Sequence, residues 1–313
     1  MTTTSRAIAA CATALLLLLA VSACDDGGTN PPSGREPRTI LVPDEMDLEE
    51  AAREAVAGDT LLLRVFFPIP PVGETVTFRA AQTPLFIRGD KSLPLISGTG
   101  DFALLRFESP KAGTQVEAVA FSGGSPAIEV VGTGGILVSA CRFTGGSVQI
   151  RGSGSGLTLH AEGNLLETAA GFAMEAADRC RLVATQNTVI RPDEVGILLA
   201  GQSEGLLTAN IVLPASGAAG IECRDGSQLL PESGCNDLFG SLDNAYVGCV
   251  APATDFQLDP QFCDAAHGVY TLVSTSPCAP LNSGGCGRIG ARDVACEPEI
   301  PATGPPILPR GSR

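Results

Sequence analysis

Apolar and polar residues alternate along most of the chain in short runs, and these runs recur at a longer, nearly constant interval. The clearest marker is a recurring Asn, at Asn164, Asn187, Asn210 and Asn236, with separations of 23, 23 and 26 residues. Alternation with a period of two is typical of β-strands that bury one face. An interval of about 20 to 50 residues is typical of solenoids. The pattern therefore predicts an all-β solenoid with coils of about 22 to 25 residues.

A second register advances together with the first. Large apolar residues follow a Gly or Ser at Val148, Phe172, Ile197 and Ile221, which are 24, 25 and 24 residues apart. We expect these side chains to stack with Ile128 inside the solenoid. A second inward stack is expected two residues further along, comprising Val130, Ile150, Met174, Leu199 and Cys223. A third is expected in the strand before the Asn positions, comprising Leu137, Leu159 and Leu182.

The Asn positions have a structural interpretation. A coil must turn sharply between strands, and Asn tolerates the left-handed backbone that such turns need. Its side-chain amide can also bond to the same amide in the coils above and below. We therefore expect a structural ladder of Asn164, Asn187, Asn210 and Asn236. The alternative is a row of polar side chains that binds a ligand.

The first 23 residues follow a different pattern. One charge, at Arg6, precedes an apolar run that is densest from Leu15 to Leu19. This is the layout of a secretory signal at residues 1–23, and it is short for a membrane span. The small residues before Cys24 resemble a bacterial lipobox, which implies that Cys24 carries a lipid. The alternative is an ordinary signal peptide with an incidental Cys beside its cleavage site.

Segments outside the repeat predict how the chain is organised. Residues 24–38 are rich in Gly, Pro and polar residues and predict a flexible tether between the lipid and the solenoid. The apolar stripe of residues 48–56, preceded by Asp47 as a candidate N-cap, predicts an amphipathic helix. The tail at 297–313 contains five Pro in 17 residues and is expected to be disordered.

Together with the two registers, both ends resemble a known family. Gly58-Asp59-Thr60 after the predicted helix, and Asp259-Pro260-Gln261-Phe262 near the other end, are similar to the boundaries of right-handed parallel β-helices of the pectin-lyase-like superfamily. The resemblance covers about residues 39–296. It implies a right-handed β-helix at 39–230 with an N-terminal cap helix, and a C-terminal capping segment at 231–296.

The resemblance predicts a fold more sharply than a reaction, because the superfamily includes lyases, hydrolases, epimerases and proteins without known activity. Its enzymes use acids that hold calcium beside an Arg base, or clustered Asp residues with a Gly-His-Gly turn, and the sequence contains neither pattern. His160 falls at an outward position and is expected to be an ordinary surface residue. Asp193 and Glu194 are the type of paired acids that glycoside hydrolysis uses, but they follow Pro192 in a predicted turn. A charged loop is their simpler interpretation.

Cysteines are concentrated near the C-terminus, with seven between Cys223 and Cys296. After a secretory signal, this density predicts disulfides. A zinc site is disfavoured because the sequence has no Cys-x-x-Cys pair and its two His are not at ligand spacing. Cys223 falls in an inward stack and is expected to be a buried free thiol. The six remaining candidates allow about 15 pairings, among which local order favours Cys235–Cys249, Cys263–Cys278 and Cys286–Cys296.

Charge limits the choice of partners. The chain has 20 basic and 34 acidic residues, a net charge of −14, and loss of residues 1–23 removes only Arg6. No basic patch for nucleic acid is predicted, and no cofactor or metal motif is present.

The leading interpretation is a non-catalytic module of the bacterial cell envelope, anchored to the membrane by its lipid, with one long face for a polysaccharide or a surface protein. The alternative is a carbohydrate-active lyase or hydrolase.

Overall fold

The computed structural model describes residues 35–65, 69–90 and 92–297. Over these residues the chain forms a parallel β-solenoid with a single α-helix, so the all-β solenoid prediction is confirmed. The predicted signal peptide, Cys24, most of the predicted tether and residues 298–313 lie outside the described residues. No helix in the described part of the chain combines the length and the apolar character needed to cross a membrane.

Three parallel sheets run along the solenoid, each taking one strand from successive coils. Sheet A stacks β1 (Thr39–Val42), β2 (Thr60–Leu63), β4 (Phe86–Gly89), β7 (Thr114–Glu117), β10 (Gly134–Ser139), β13 (Leu157–Glu162), β16 (Arg181–Thr185), β19 (Glu204–Thr208) and β22 (Gln228–Leu229). Sheet B stacks β3 (Val76–Arg79), β6 (Leu105–Glu108), β9 (Ile128–Val131), β12 (Val148–Ser153), β15 (Phe172–Ala177), β18 (Val195–Leu199), β21 (Ala219–Cys223) and β23 (Tyr246–Val247). Sheet C stacks β5 (Leu95–Gly98), β8 (Ala120–Gly123), β11 (Arg142–Thr144), β14 (Leu165–Glu167), β17 (Thr188–Ile190) and β20 (Ile211–Leu213).

The remaining elements are one helix, a small fourth sheet and three short 3₁₀ turns. Helix α1 (Leu48–Glu54) starts at Asp47, whose carboxylate accepts the backbone N–H of Glu50 at 2.7 Å, as the N-cap prediction required. The helix buries Leu48, Ala51 and Ala52 and contacts β1 and β3. A small fourth sheet contains β24 (Phe262–Asp264), β25 (Val269–Val273) and β26 (Val294–Cys296), and short 3₁₀ turns occur at Ala80–Gln82, Leu242–Asn244 and Ala265–His267.

The buried stacks are present, but two of the predicted registers are wrong by two residues. Parallel pairing aligns Ile128, Ile150, Met174, Ile197 and Ile221, all fully buried. It also aligns Val130, Gly152, Ala176, Leu199 and Cys223. Val148 pairs with Phe172 at the half-buried start of the strands, outside the predicted stack. Phe172 packs with Leu198 outside the interior core, and the Arg224 guanidinium lies over its ring, so the strict alternation that the prediction assumed does not hold at the start of β15.

The Asn ladder is confirmed, and it is continuous. Each side-chain amide donates to the Oδ1 atom of the next Asn, at 2.9 Å from Asn164 to Asn187, 3.0 Å to Asn210 and 2.9 Å to Asn236. All four residues are fully buried. The left-handed residue of each turn, however, is the one before the Asn, as at Gln186 (φ 54°). The Asn side chains therefore satisfy buried polar groups, while the preceding residues make the bends.

The C-terminal segment, defined as residues 259–296, packs along the side of the solenoid against the outer face of sheet C. Tyr270 contacts Leu165 and Ile190, and the backbone N–H of Gly290 donates to Ala209 at 2.8 Å. Coil stacking itself continues past residue 230, since Asp237 bridges to both Ile211 and Phe256. The short strands β14 and β17 are buried on both faces beneath the segment.

The disulfides are Cys223–Cys249, Cys235–Cys286 and Cys263–Cys296, so all three predicted pairings are wrong. Cys223, expected to be free, is bonded, and Cys278, expected to be bonded, is a fully buried free thiol. The physical reason is that pairing follows the tertiary arrangement and not local order. Cys223 and Cys249, with a separation of 26, lie side by side in adjacent coils. Cys235–Cys286 joins the solenoid to the C-terminal segment, and Cys263–Cys296 joins β24 to β26 within that segment.

Candidate functional site

The outer face of sheet A is accessible to solvent along most of its length. Its central row aligns one half-buried or exposed residue from each successive coil: Phe86, Gln115, Leu137, His160, Val183 and Leu206. The row beside it contains Arg88, Glu117, Ser139, Glu162, Thr185 and Thr208. We call these two rows the open face. Strand spacing places equivalent side chains about 4.8 Å apart along the solenoid axis.

Leu137 belongs to the open face, which corrects the third predicted stack. It pairs with His160 at an outward position, while its neighbour Ile136 takes the buried position opposite Leu159. Here the predicted register was displaced by one residue, because Ile136 and Leu137 are both apolar. A one-residue shift exchanges the two faces of a strand.

Two shallow grooves lie on the open face and share Gln115. One, of about 290 Å³, is lined by Phe86, Arg88 and Glu117 among others. The second, of about 340 Å³, includes Leu137 and His160. Together they follow the solenoid axis from β2 to β13.

The charges of the open face are largely internal to it. The Arg88 guanidinium donates to the Glu117 carboxylate, with an Nε–Oε2 distance of 2.8 Å. Partial desolvation of the His160 ring, which remains accessible to solvent, lowers its pKa, and the nearby Arg181 guanidinium lowers it further, against the opposing influence of Glu162. The ring is therefore neutral at neutral pH, with one donor and one acceptor nitrogen. Apolar side chains, amides, hydroxyls and a neutral imidazole suit a ligand without net charge.

The paired acids predicted from the sequence, and two further acids of neighbouring coils, do not meet on this face. Asp193 and Glu194 are exposed in the turn before β18. Glu175 lies on sheet B in an ion pair with Arg151 at 3.4 Å, and burial raises its pKa. Asp178 accepts a hydrogen bond from the Ser153 hydroxyl at 2.6 Å. No group of three or more His, Cys, Asp or Glu side chains is arranged to hold a metal ion within residues 35–65, 69–90 and 92–297.

Sheet B presents a different surface. Its outward row alternates in charge through Arg106, Glu129, Arg151 and Glu175, with Arg106 and Glu129 joined at 2.6 Å. This ladder neutralises itself by pairing between coils. The open face of sheet A therefore combines accessible apolar groups with unpaired hydrogen-bonding side chains to a degree that sheet B does not.

No protein-family model matches this sequence, and no curated protein matches it. The candidate site is thus defined by the geometry of the open face alone.

Proposed function

We propose that this chain is a lipid-anchored envelope protein of the pectin-lyase-like superfamily that binds a polysaccharide, without cleaving it, along the open face. The observation that carries the proposal is the repetition of that face. Each coil offers an outward side chain at an equivalent position and a fixed spacing, which suits a ligand that is itself a chemical repeat. The shallow grooves leave room for a chain lying along the solenoid axis.

Three features support a neutral polysaccharide as the ligand. Phe86, Leu137 and Leu206 offer accessible apolar surface, which contributes about 25 cal/mol for each Å² buried. Gln115 and His160 offer hydrogen bonds that can orient hydroxyl groups. The net charge of −14 disfavours polyanions over most of the surface. A surface protein as partner is the competing outcome of the test below.

The binding test uses adsorption of the protein to a panel of insoluble neutral polysaccharides. Leu137→Asn and Phe86→Asn should weaken adsorption about tenfold each, equivalent to about 1.4 kcal/mol. Leu95→Asn is the matched control, because Leu95 is 49% exposed but lies on sheet C. Equal adsorption by all three variants would contradict the proposed face. Absence of adsorption to any polysaccharide, with capture of a cell-surface protein through Leu137, would favour a protein partner.

The non-catalytic part is tested separately by incubating bound polysaccharide with the protein and analysing the products. We expect no shortened chains and no new reducing or unsaturated ends. Such products, lost in a Glu162→Gln variant that still adsorbs, would replace the binding proposal with the alternative of a lyase or hydrolase.

The anchor rests on the lipobox-like residues before Cys24, which lie outside the described residues. Mass spectrometry of membrane-extracted protein should show an acylated N-terminal Cys24. The Cys24→Ser variant should be released from the membrane fraction. Recovery of an unmodified, soluble mature chain from wild-type cells would contradict lipidation.

A further inference from the structure

An apolar cavity of about 260 Å³ lies where the C-terminal segment meets the last strands of sheet C. Two of its lining residues, Ile190 on β17 and Leu213 on β20, are partners in the parallel register. Ile190 is 3% exposed because Tyr270 of the C-terminal segment packs on it, whereas Leu213 is only half-buried. The segment therefore covers sheet C incompletely at the end of β20, and the cavity lies there.

Three aromatic residues line this cavity. Phe262 and Tyr270 of the C-terminal segment meet edge to face, with ring centroids 5.2 Å apart and an interplanar angle of 81°. Phe239 is half-buried and follows β20 in the next coil. Aromatic rings prefer edge-to-face or offset contacts with one another, so these walls suit a further ring. Since a cavity of about 150 Å³ holds a benzene molecule, this one has room for one ring with a short side arm.

Arg191 is the one charged residue among the described residues that line the cavity. It directly follows β17, and its backbone N–H donates to the Leu213 carbonyl at 2.7 Å, which fixes its position. Within the described part of the chain its guanidinium forms no ion pair with an acid. A carboxylate is a suitable partner, because the planar guanidinium donates two parallel hydrogen bonds to it. The chain's net charge of −14 favours a ligand with a single negative charge over a polyanion.

We propose that this cavity binds a small monocarboxylate that carries one aromatic ring. The ring contacts Phe262 and Tyr270, and the carboxylate bonds to Arg191. Recognition needs both parts of the ligand, because a polar anion buries no apolar surface there and a neutral ring leaves the guanidinium without a partner. The site lies on the outer side of sheet C, so it is independent of the open face of sheet A.

The test is a ligand-observed NMR titration of the intact protein with 3-phenylpropionate. Benzyl alcohol, a ring without a charge, and sodium acetate, a charge without a ring, are the control ligands. Wild-type protein should bind 3-phenylpropionate saturably and about tenfold more tightly than either control. Arg191→Gln should weaken that binding about tenfold and leave the binding of benzyl alcohol unchanged. Arg179→Gln is the matched control, because Arg179 is also an exposed arginine with a positive φ (66°, against 52° at Arg191) but lies outside the cavity.

A second pair of variants fills the cavity without removing any packing. Ala265 is exposed and lines the cavity, so Ala265→Phe should abolish the binding of 3-phenylpropionate. Its neighbour Ala266 is exposed on the same turn outside the lining, so Ala266→Phe should bind as wild type does. Thermal unfolding of each variant verifies that it is folded. Equal binding by wild type and a folded Ala265→Phe variant would overturn the proposal, as would a wild-type protein that does not bind 3-phenylpropionate saturably.

The competing occupant of the cavity is the chain's own C-terminal end, which carries the apolar pair Ile307 and Leu308 outside the described residues. If 3-phenylpropionate bound only to a variant with Ile307→Ser and Leu308→Ser, the cavity would belong to that segment and the proposal would be wrong. Equal binding with and without these two changes supports a small ligand. Phe86→Asn should leave the binding of 3-phenylpropionate unchanged, which separates this site from the open face.

Discussion

Sheets A and C are built from the same coils, yet their outer faces differ. On β13 of sheet A the burial alternates, with Leu157, Leu159 and Ala161 inside and His160 exposed. On β14 and β17 of sheet C every residue is buried, because the C-terminal segment covers them. The comparison shows that the solenoid buries the inner face of every sheet. The outer face is buried only where another segment of the chain packs on it. An open outer face remains available for binding, whereas a covered one stabilises the fold.

The largest loss of stability should come from detaching the C-terminal segment from sheet C. The Cys235–Cys286 disulfide closes a separation of 51 residues and joins the solenoid to the C-terminal segment. Cys235→Ser with Cys286→Ser should reduce the free energy of unfolding by about 4 kcal/mol. Hydrogen exchange should then increase in β17 and β20 but not in β7 and β10. The matched control is Cys223→Ser with Cys249→Ser, which removes a bond between stacked turns and should leave sheet C covered. Equal exchange in both sheets of the first variant would contradict the comparison.

Gly290→Ala should weaken the packing of the C-terminal segment on sheet C with a smaller loss of stability. Gly290 has a φ of +89°, and an added Cβ would lie 2.5 Å from Cδ1 of Ile211 on sheet C. We expect a loss of about 2 to 3 kcal/mol in thermal unfolding, from steric conflict and backbone strain together. Gly284→Ala separates the two causes, since Gly284 also has a positive φ (+66°) but nothing within 4 Å of its Cβ position. If both variants lost the same stability, close approach to sheet C would not be the reason.

Asp237 should make the stability of the C-terminal part of the fold depend on pH. This fully buried carboxylate accepts hydrogen bonds from the Leu258 N–H and the Cys278 thiol, and burial, with a smaller influence from Asp259, raises its pKa from 3.8 to about 7. The folded state thus favours the protonated acid, and stability is highest at low pH. We expect the free energy of unfolding to fall by a few kcal/mol as the pH rises from about 4 to about 7, since each pKa unit corresponds to about 1.4 kcal/mol, and to level off above that.

Asp237→Asn removes the titrating group and should flatten that slope in denaturant unfolding measured across the pH range. Glu162→Gln, at an exposed position on the open face, should keep the wild-type slope. A slope that persists in Asp237→Asn would assign the pH dependence to another group.

The smallest effect is expected on the open face itself. Leu206 is only half-buried there, so Leu206→Ser should change the free energy of unfolding by less than about 0.5 kcal/mol. A loss above about 2 kcal/mol in thermal unfolding would mean that this part of sheet A is covered, and it would remove the basis of the comparison.

The sequence predicts the parts of this fold that repeat. The recurrence of Asn164, Asn187 and Asn210 indicates both the coil length and the ladder, because each coil must solve the same turn in the same way. It does not place stacks that differ by two residues, as with Val148 and Ile150. The disulfide pairing is not predicted by sequence separation either. Stacking of coils brings Cys223 to Cys249, although Cys235 is nearer to Cys223 in sequence.

The same distinction applies to individual surface positions, some of which the alternation predicts and some of which it does not. The outward position of His160 follows from alternation, and its exposure agrees with that prediction. The packing of Tyr270 against Leu165 and Ile190 has no local signal, because it depends on a segment that folds back over the solenoid. One signal was available and was missed. The strands Thr188–Ile190 and Ile211–Leu213 carry apolar residues at consecutive positions, which is typical of a sheet that is buried on both sides.

The Asn ladder gives the molecule a rule for changes in length. Each internal Asn amide donates one hydrogen bond to the next Asn and accepts one from the Asn before it. An Asn can therefore be added to the ladder, or removed from it, only together with a whole coil. At its C-terminal end, Asn236 donates at 3.1 Å to the carboxylate of Asp255, which when ionised has only acceptors. Asp255 therefore terminates the series and leaves no unmatched donor. A change in length between Asn164 and Asn236 therefore keeps every amide of the ladder paired only when it adds or removes a whole coil, which is 23 residues between Asn164 and Asn187.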